Sequence, residues 1–277
     1  MPGADRKAAA ERTADKKVTD KKAADKKAVD EKAADEKAAG KEAADKKATG
    51  KKAAGKQGPE GALPYVPARG GIPALRRAAV DCRGCPLYAD ATQTVFGAGP
   101  APARLMLVGE QPGDQEDRAG EPFVGPAGRL LHSALDKAGI DAERAYVTNA
   151  VKHFKFAPVA EGRKRRIHKA PNLGELTACR PWLAAEVRRV RPELIVALGA
   201  TAGKSLLGNS FKVTEARGAL LSLAPGTDLP LVAGEDDGDG RRLLATVHPS
   251  AVLRATDRDE AFDGLVADLR VASGFLG

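Results

Sequence analysis

Four short apolar runs do most to limit what this chain can fold into. They are Leu105-Met106-Leu107-Val108, Tyr146-Val147-Thr148-Asn149-Ala150-Val151, Leu194-Ile195-Val196-Ala197-Leu198-Gly199 and Leu243-Leu244-Ala245-Thr246-Val247. Each has the length of a strand and carries no charge, the mark of strands buried on both faces. Between them lie segments with helical spacing, Gly128 to Ala138, Glu175 to Val190 and Thr201 to Leu207, and Glu260 to Ala272 closes the chain. This alternation predicts an α/β fold: a central four-stranded parallel sheet flanked by helices. Ligands gather at the carboxyl ends of the strands in such folds, so the residues after each run are those to read for chemistry.

The first 57 residues offer nothing to that sheet. From Thr13 to Gln57 they repeat in steps of five (TADKK, VTDKK, AADKK and onward). A five-residue step turns about 140° around an α-helix, so alanines and charges spread over every face and no apolar stripe forms. A mobile, partly helical Lys/Ala-rich tail is expected over residues 1–57. It holds 17 Lys/Arg against 11 Asp/Glu, a net +6 of the +8 carried by the whole chain. Such a tail either adds weak, salt-sensitive, non-specific attraction to nucleic acid or serves solubility alone. In composition only, it resembles the tails of some histone-like proteins. The Pro/Gly-rich stretch 58–71 reads as a linker and 72–277 as one folded domain. No stretch approaches the roughly 18 uncharged apolar residues of a membrane span, and the N-terminus lacks a signal-peptide core. A cytoplasmic protein, without a membrane partner, is expected.

The strand ends carry polar residues of a particular kind. After the first run comes Gly109-Glu110-Gln111-Pro112-Gly113-Asp114-Gln115-Glu116-Asp117, where glycines permit a tight turn and Glu110 offers a base or a charge stabiliser. Phe123 lies between turn residues in Glu121 to Gly128, suited to stack a base or to plug the core. The second run contains Asn149, whose amide can donate and accept at a nucleobase edge, and the fourth leads into His248-Pro249-Ser250. A basic string, Arg163-Lys164-Arg165-Arg166-Ile167-His168, ends in one of only four histidines. Cationic neighbours favour the neutral, nucleophilic imidazole and offer contacts to phosphate; an incidental histidine in a basic surface loop is the alternative. A Gly/Asp-rich stretch, 226–242, reads as a surface loop, since it lacks the spacing and terminal glutamate of a calcium loop.

Three cysteines, Cys82, Cys85 and Cys179, rule out a cysteine-only tetrad within one chain. Cys82-Arg83-Gly84-Cys85 has the spacing that lets two thiolates meet one centre, and spacing alone leaves zinc, a redox disulfide and an iron–sulfur cluster open.

Taken in order, Glu110 to Asp117, Pro122-Phe123, Asn149 and His248-Pro249-Ser250 resemble the uracil-DNA glycosylase superfamily, in its iron–sulfur branch called family 4. The resemblance covers residues 81–277, about seven tenths of the chain. It implies a flipped uracil at the strand ends, with Phe123 stacking on the base, Asn149 reading its Watson–Crick edge, His248 approaching O2 and Gln111 also in contact. Ser250 would meet the DNA backbone. It also implies a [4Fe–4S] cluster bound by four cysteines, one just after the second strand. Here His153 takes that place and the next ligand position keeps Cys179, so the expected ligands are Cys82, Cys85, His153 and Cys179, with water or nothing as the alternative fourth.

Gly109-Glu110-Gln111-Pro112-Gly113 together with Lys164 to His168 resembles a narrower group, the UdgX type, whose members excise uracil and stay covalently bound to DNA through the loop histidine. By that resemblance His168 captures C1′ of the deoxyribose. Glu110 stabilises the sugar cation, orients the imidazole or accepts its proton, and Lys164, Arg165 and Arg166 hold nearby phosphates. The implied partner is uracil-containing DNA, single-stranded, met by a monomer at the nucleoid. Two alternatives stay open: a conventional multiple-turnover family 4 glycosylase, and a catalytically silent Fe–S nucleic-acid-binding protein.

Overall fold

The computed structural model describes residues 61–157, 166–222 and 241–277. The expected tail, positions 58–60 of the expected linker, Lys164, Arg165 and most of the loop 226–242 lie outside the described residues. In chain order the elements are α1 (Ile72–Ala79), β1 (Leu105–Gly109), α2 (Asp114–Ala119), α3 (Pro126–Lys137), β2 (Ala145–Asn149), β3 (Phe156–Ala157), β4 (Ile167–His168) and α4 (Leu173–Val190). There follow β5 (Leu194–Leu198), α5 (Gly199–Leu207), α6 (Val213–Ala216), β6 (Leu220–Ser222), β7 (Arg242–Thr246), α7 (Pro249–Val252) and α8 (Arg258–Leu276).

The four apolar runs form the parallel sheet, and every residue of β1 and β5 is buried. The strand order is β2-β1-β5-β7-β6. Leu105 aligns with Ala145 on one side and Leu194 on the other, and Leu194 aligns in turn with Arg242. The four expected parallel strands are all present, and a fifth strand joins them at one edge. The edge strand β6 runs antiparallel beside β7, with Leu221 opposite Leu243. Three residues, only one of them half-buried, carry too little pattern to announce a strand.

Two apolar layers cover the sheet. Leu75, Trp182, Leu183 and Val187 pack on one face; Leu131, Leu135, Leu265 and Leu269 pack on the other. Each such side chain contributes about 1.5–3 kcal/mol by leaving water. The long helix α4 starts where Asn172 and Glu175 cap one another: the Asn172 side chain accepts the Glu175 N–H at 2.9 Å, and the Glu175 carboxylate accepts the Asn172 N–H at 2.7 Å. It ends at Arg191 in the left-handed region, φ 51°.

The described part of the expected linker is a packed strap. Ala62 is buried and its N–H donates to the Ala178 carbonyl of α4 at 2.8 Å, while Arg189 of α4 donates to the Gly70 and Pro67 carbonyls. A Cβ on Gly84 would stand 2.6 Å from Ala62 Cα, so glycine there is what lets the two backbones close. Among the described residues no helix is long and apolar enough to cross a membrane.

The sheet also grows in both directions from β1, first to β2 and then to β5. Such a reversal opens a crevice beyond the strands' carboxyl ends, where Glu110 follows β1 and Thr201 lies in the first turn of α5.

Candidate active site

The first cluster is assembled by register. Gly109 ends β1 opposite Asn149 at the end of β2. A Cβ on Gly109 would overlap the Asn149 Oδ1 and stand 2.7 Å from Phe123 Cζ, so the missing side chain is what allows amide and ring to meet. Phe123 holds a left-handed φ of 59°, uncommon for a residue with a side chain, and any Cβ on Gly128 would collide with its carbonyl. His248 follows β7 and lies roughly parallel to the Phe123 ring, 6.5 Å between centroids and 29° between planes. Its Nδ1 accepts the Ser250 N–H at 3.1 Å and faces the Ser250 hydroxyl at 2.8 Å. The one proton of the neutral ring therefore sits on Nε2. Burial pushes His248 down to about 4, helped by the charges of His168 and Arg254, so it is a neutral N–H donor at physiological pH. A ring, an amide and a neutral donor converge here on one strand end.

The second cluster brings His168 over the first. Residues 156–157 and 167–168 form a two-stranded hairpin in which Phe156 faces His168. Its anchor is Arg166, whose side chain is 15% exposed. That guanidinium pairs with Asp114 at 2.5 Å and with the fully buried Asp117 at 2.7 Å, and lies 5.2 and 4.9 Å from the Phe154 and Phe156 rings. Arg166 is thus not a free phosphate contact, as the basic string suggested. Two carboxylates and two rings fix it against the body.

Strand alternation turns His168 to the same side as Arg166 and Ile167 outward, and the His168 side chain stays 50% exposed. His168 Nε2 stands 2.8 Å from Gln111 Nε2 and 3.4 Å from Glu110 Oε1, and Thr201 donates its hydroxyl to Glu110 Oε2. The Gln111 amide is oriented by its other contacts: Oε1 accepts the Lys155 N–H at 3.1 Å, and Nε2 donates to the Lys169 carbonyl at 2.9 Å. Nε2 of His168 is therefore the acceptor, with its lone pair turned inward beside a carboxylate. Burial lowers the His168 pKa below the ordinary 6.5; Glu110 opposes this and Arg254 adds to it. Gln111, expected against uracil, is buried and holds the hairpin and the histidine instead. Ser250, expected at the DNA backbone, is turned to His248.

A family model described as the uracil DNA glycosylase superfamily matches residues 96–270, a span that contains both clusters. The chain belongs to that superfamily. It is 34% identical over 196 residues to a type-4 uracil-DNA glycosylase of Thermotoga maritima, covering 70% of this chain and 89% of the relative. It is similar also to type-4 uracil-DNA glycosylases of Pyrobaculum aerophilum (33% identity, 63% and 80% covered) and Archaeoglobus fulgidus (30%, 68% and 85%).

The glycosylase fold also gathers the cysteines. Cys82, Cys85 and Cys179 are all buried and free. Cys82 Sγ accepts the Trp182 indole N–H at 3.2 Å, and Cys179 Sγ accepts the Lys152 backbone N–H at 3.3 Å. Burial pushes the Cys179 thiol up to about 12, with Cys85 and Cys82 adding to the rise, and raises Cys85 as well. Thiolates in such surroundings require a cationic centre, and the two N–H···S bonds suit sulfur that carries charge. His153 is buried; its Nε2 pairs with Thr94 Oγ1 at 2.8 Å, and that hydroxyl donates to the Ala79 carbonyl. Nε2 is consequently the donor, leaving Nδ1 as the nitrogen with a lone pair. His153 and Cys82 line one cavity of about 240 Å³. Among the described residues no three His, Cys, Asp or Glu side chains converge as tightly as one ion demands. A cluster, whose ligands bind different iron atoms, spaces them more widely.

Several working residues escaped the sequence reading. Thr201 and Thr94 are single hydroxyls without a local motif. Asp114 and Asp117 did have a signal, since their i,i+3 spacing on α2 puts both carboxylates on one face, ready for a single guanidinium.

Proposed function

We propose that this chain excises uracil from DNA and that His168 then captures C1′ of the deoxyribose left behind. The observation that supports this reading best is His168 Nε2 lying 3.4 Å from the Glu110 carboxylate, in the crevice that holds Asn149, Phe123 and His248. Uracil seated between Phe123 and Asn149 leaves with the electron pair of its C1′–N1 bond, and the Nε2–H of His248 stabilises the charge building on O2. The sugar is left as an oxocarbenium-like cation, which Glu110 stabilises. Gln111 holds the Nε2 lone pair of His168 inward until that cation forms. A bond from Nε2 to C1′ then completes the exchange, and the imidazolium loses its Nδ1 proton to solvent. The neutral form alone attacks, which the lowered pKa of His168 favours.

The cofactor we propose is a [4Fe–4S] cluster held by Cys82, Cys85, Cys179 and His153 through Nδ1. The buried thiols and their N–H donors fit it, and bound there it would tie α4 to the strap and the loop after β2. The substrate is uracil-containing DNA, taken as a single strand by a monomer, with residues 1–57 as a tail adding non-specific affinity.

A second reading, multiple-turnover release of uracil with the hairpin as a clamp, draws on the type-4 relatives. The two part on one gel. Uracil-containing single-stranded DNA should give a boil-resistant protein–DNA adduct that His168→Ala abolishes. Repeated turnover without an adduct favours the second reading.

A further inference from the structure

We infer that the buried Lys152–Glu186 ion pair positions Asn149 for base recognition and ties that position to the cluster ligand Cys179. Both side chains are completely buried, and Lys152 Nζ to Glu186 Oε2 is 2.6 Å. All three ammonium protons have partners: Thr148 Oγ1, the Asn149 carbonyl and Glu186 Oε2, each at 2.6 Å. The other oxygen of Glu186 accepts from the Tyr146 and Thr148 hydroxyls, both at 2.9 Å. Lys152 therefore has no proton to offer a substrate, and it is a positioning residue.

Stability gives little reason to retain such a pair. Apolar residues of similar volume often replace a buried ion pair neutrally or better, whereas removing one partner strands a charge. What the pair does locally is specific. Lys152 Nζ holds the carbonyl of the residue whose amide faces Phe123, while the Lys152 backbone N–H holds Cys179 Sγ. Between these two points the Ala150 and Val151 N–H groups bind the Gly109 and Glu110 carbonyls at 2.9 and 3.0 Å. One short segment thus carries the base-reading amide, the main-chain position of Glu110 and a contact to the cluster site. Lys152 and Glu186 fix that segment from below, against α4.

The inference rests on Asn149 being the uracil-binding amide, and the test keeps the two apart. Full-length wild type, Lys152→Met, Lys152→Met/Glu186→Leu and the milder Thr148→Val are compared. Melting temperature, iron content and the single-turnover rate of uracil release are measured on each. Lys152→Met should melt early. The double variant should regain the melting temperature and keep its iron, yet release uracil about 100-fold more slowly, the scale expected of an ångström-sized misplacement. Thr148→Val should stay folded and slow release by about tenfold, since it removes one of the three anchors. A folded variant of either kind that keeps wild-type rate overturns the inference, because a merely structural pair is fully replaced by apolar packing. A wild type that releases no uracil overturns the excision reading, and this inference with it.

Discussion

Replacing Arg166 by alanine should separate uracil release from crosslinking. The guanidinium reaches Asp114 at 2.5 Å and Asp117 at 2.7 Å. Each charge-assisted contact contributes about 1.5–3 kcal/mol where solvent is largely excluded. At 15% exposure only a modest discount applies. The flanking Phe154 and Phe156 rings add about 0.5–1 kcal/mol each. Asp117 is not stranded by the change, because the Thr92 N–H also donates to it at 3.0 Å. A net 2–4 kcal/mol therefore remains as a rough figure for docking the hairpin, since the contacts are not additive. That loss falls on an element of two-residue strands, which then keeps the Gln111 bonds to Lys155, His168 and Lys169 and the Lys155–Glu175 pair as its other ties. The docked population should drop by about 30- to 1,000-fold relative to the undocked one. Asn149, Phe123 and His248 stand on other elements, so uracil release should stay within about threefold of wild type while the adduct rate falls by at least about tenfold. Single-turnover reactions, split between alkaline cleavage of abasic strands and denaturing gels of adduct, measure both. Arg166→Ala that crosslinks at the wild-type rate would refute the hairpin as the carrier of the nucleophile.

Gly109→Ala should abolish excision with the fold intact, because its methyl would overlap Asn149 Oδ1 and crowd Phe123; near-normal uracil release with an unchanged melting curve would contradict this. Adduct formation should be flat above the ordinary imidazole value of 6.5 and fall in acid with a midpoint below it, as His168 with its lowered pKa protonates; rates between about pH 5 and pH 8 check the sign. Folding stability should follow the same direction, since His248 with its pKa near 4 is neutral when folded: the stabilisation is complete above 6.5 and is lost as pH falls toward 4, visible in denaturant melts. Cys179→Ser should lose iron and visible absorbance and melt earlier, while stoichiometric zinc in a colourless wild type would sink the cluster.

The sheet was legible because each strand advertises itself locally. Four uncharged runs at strand length, separated by helical spacing, leave few foldings, and β6 was missed because three residues carry no such pattern. Glu110, Asn149 and His248 stand out as candidates for a related reason, as they fall at or just after strand ends, where this architecture collects chemistry, whereas Phe123 lies in the turn before α3. The roles of Arg166, Gln111 and Ser250 were not legible. In sequence Arg166 is one cation among several, and only the hairpin's contact with α2 shows that two carboxylates already claim it.

Sequence by itself therefore determined the sheet, the strand ends and the kinds of side chain gathered there. Tertiary structure decided partners: Thr201 on Glu110, Gln111 on His168 and Trp182 on Cys82. The physical reason lies in range. Periodicity and apolar runs are local and survive in a linear string, whereas a hydrogen bond between residues scores of positions apart exists only once the chain has closed the distance.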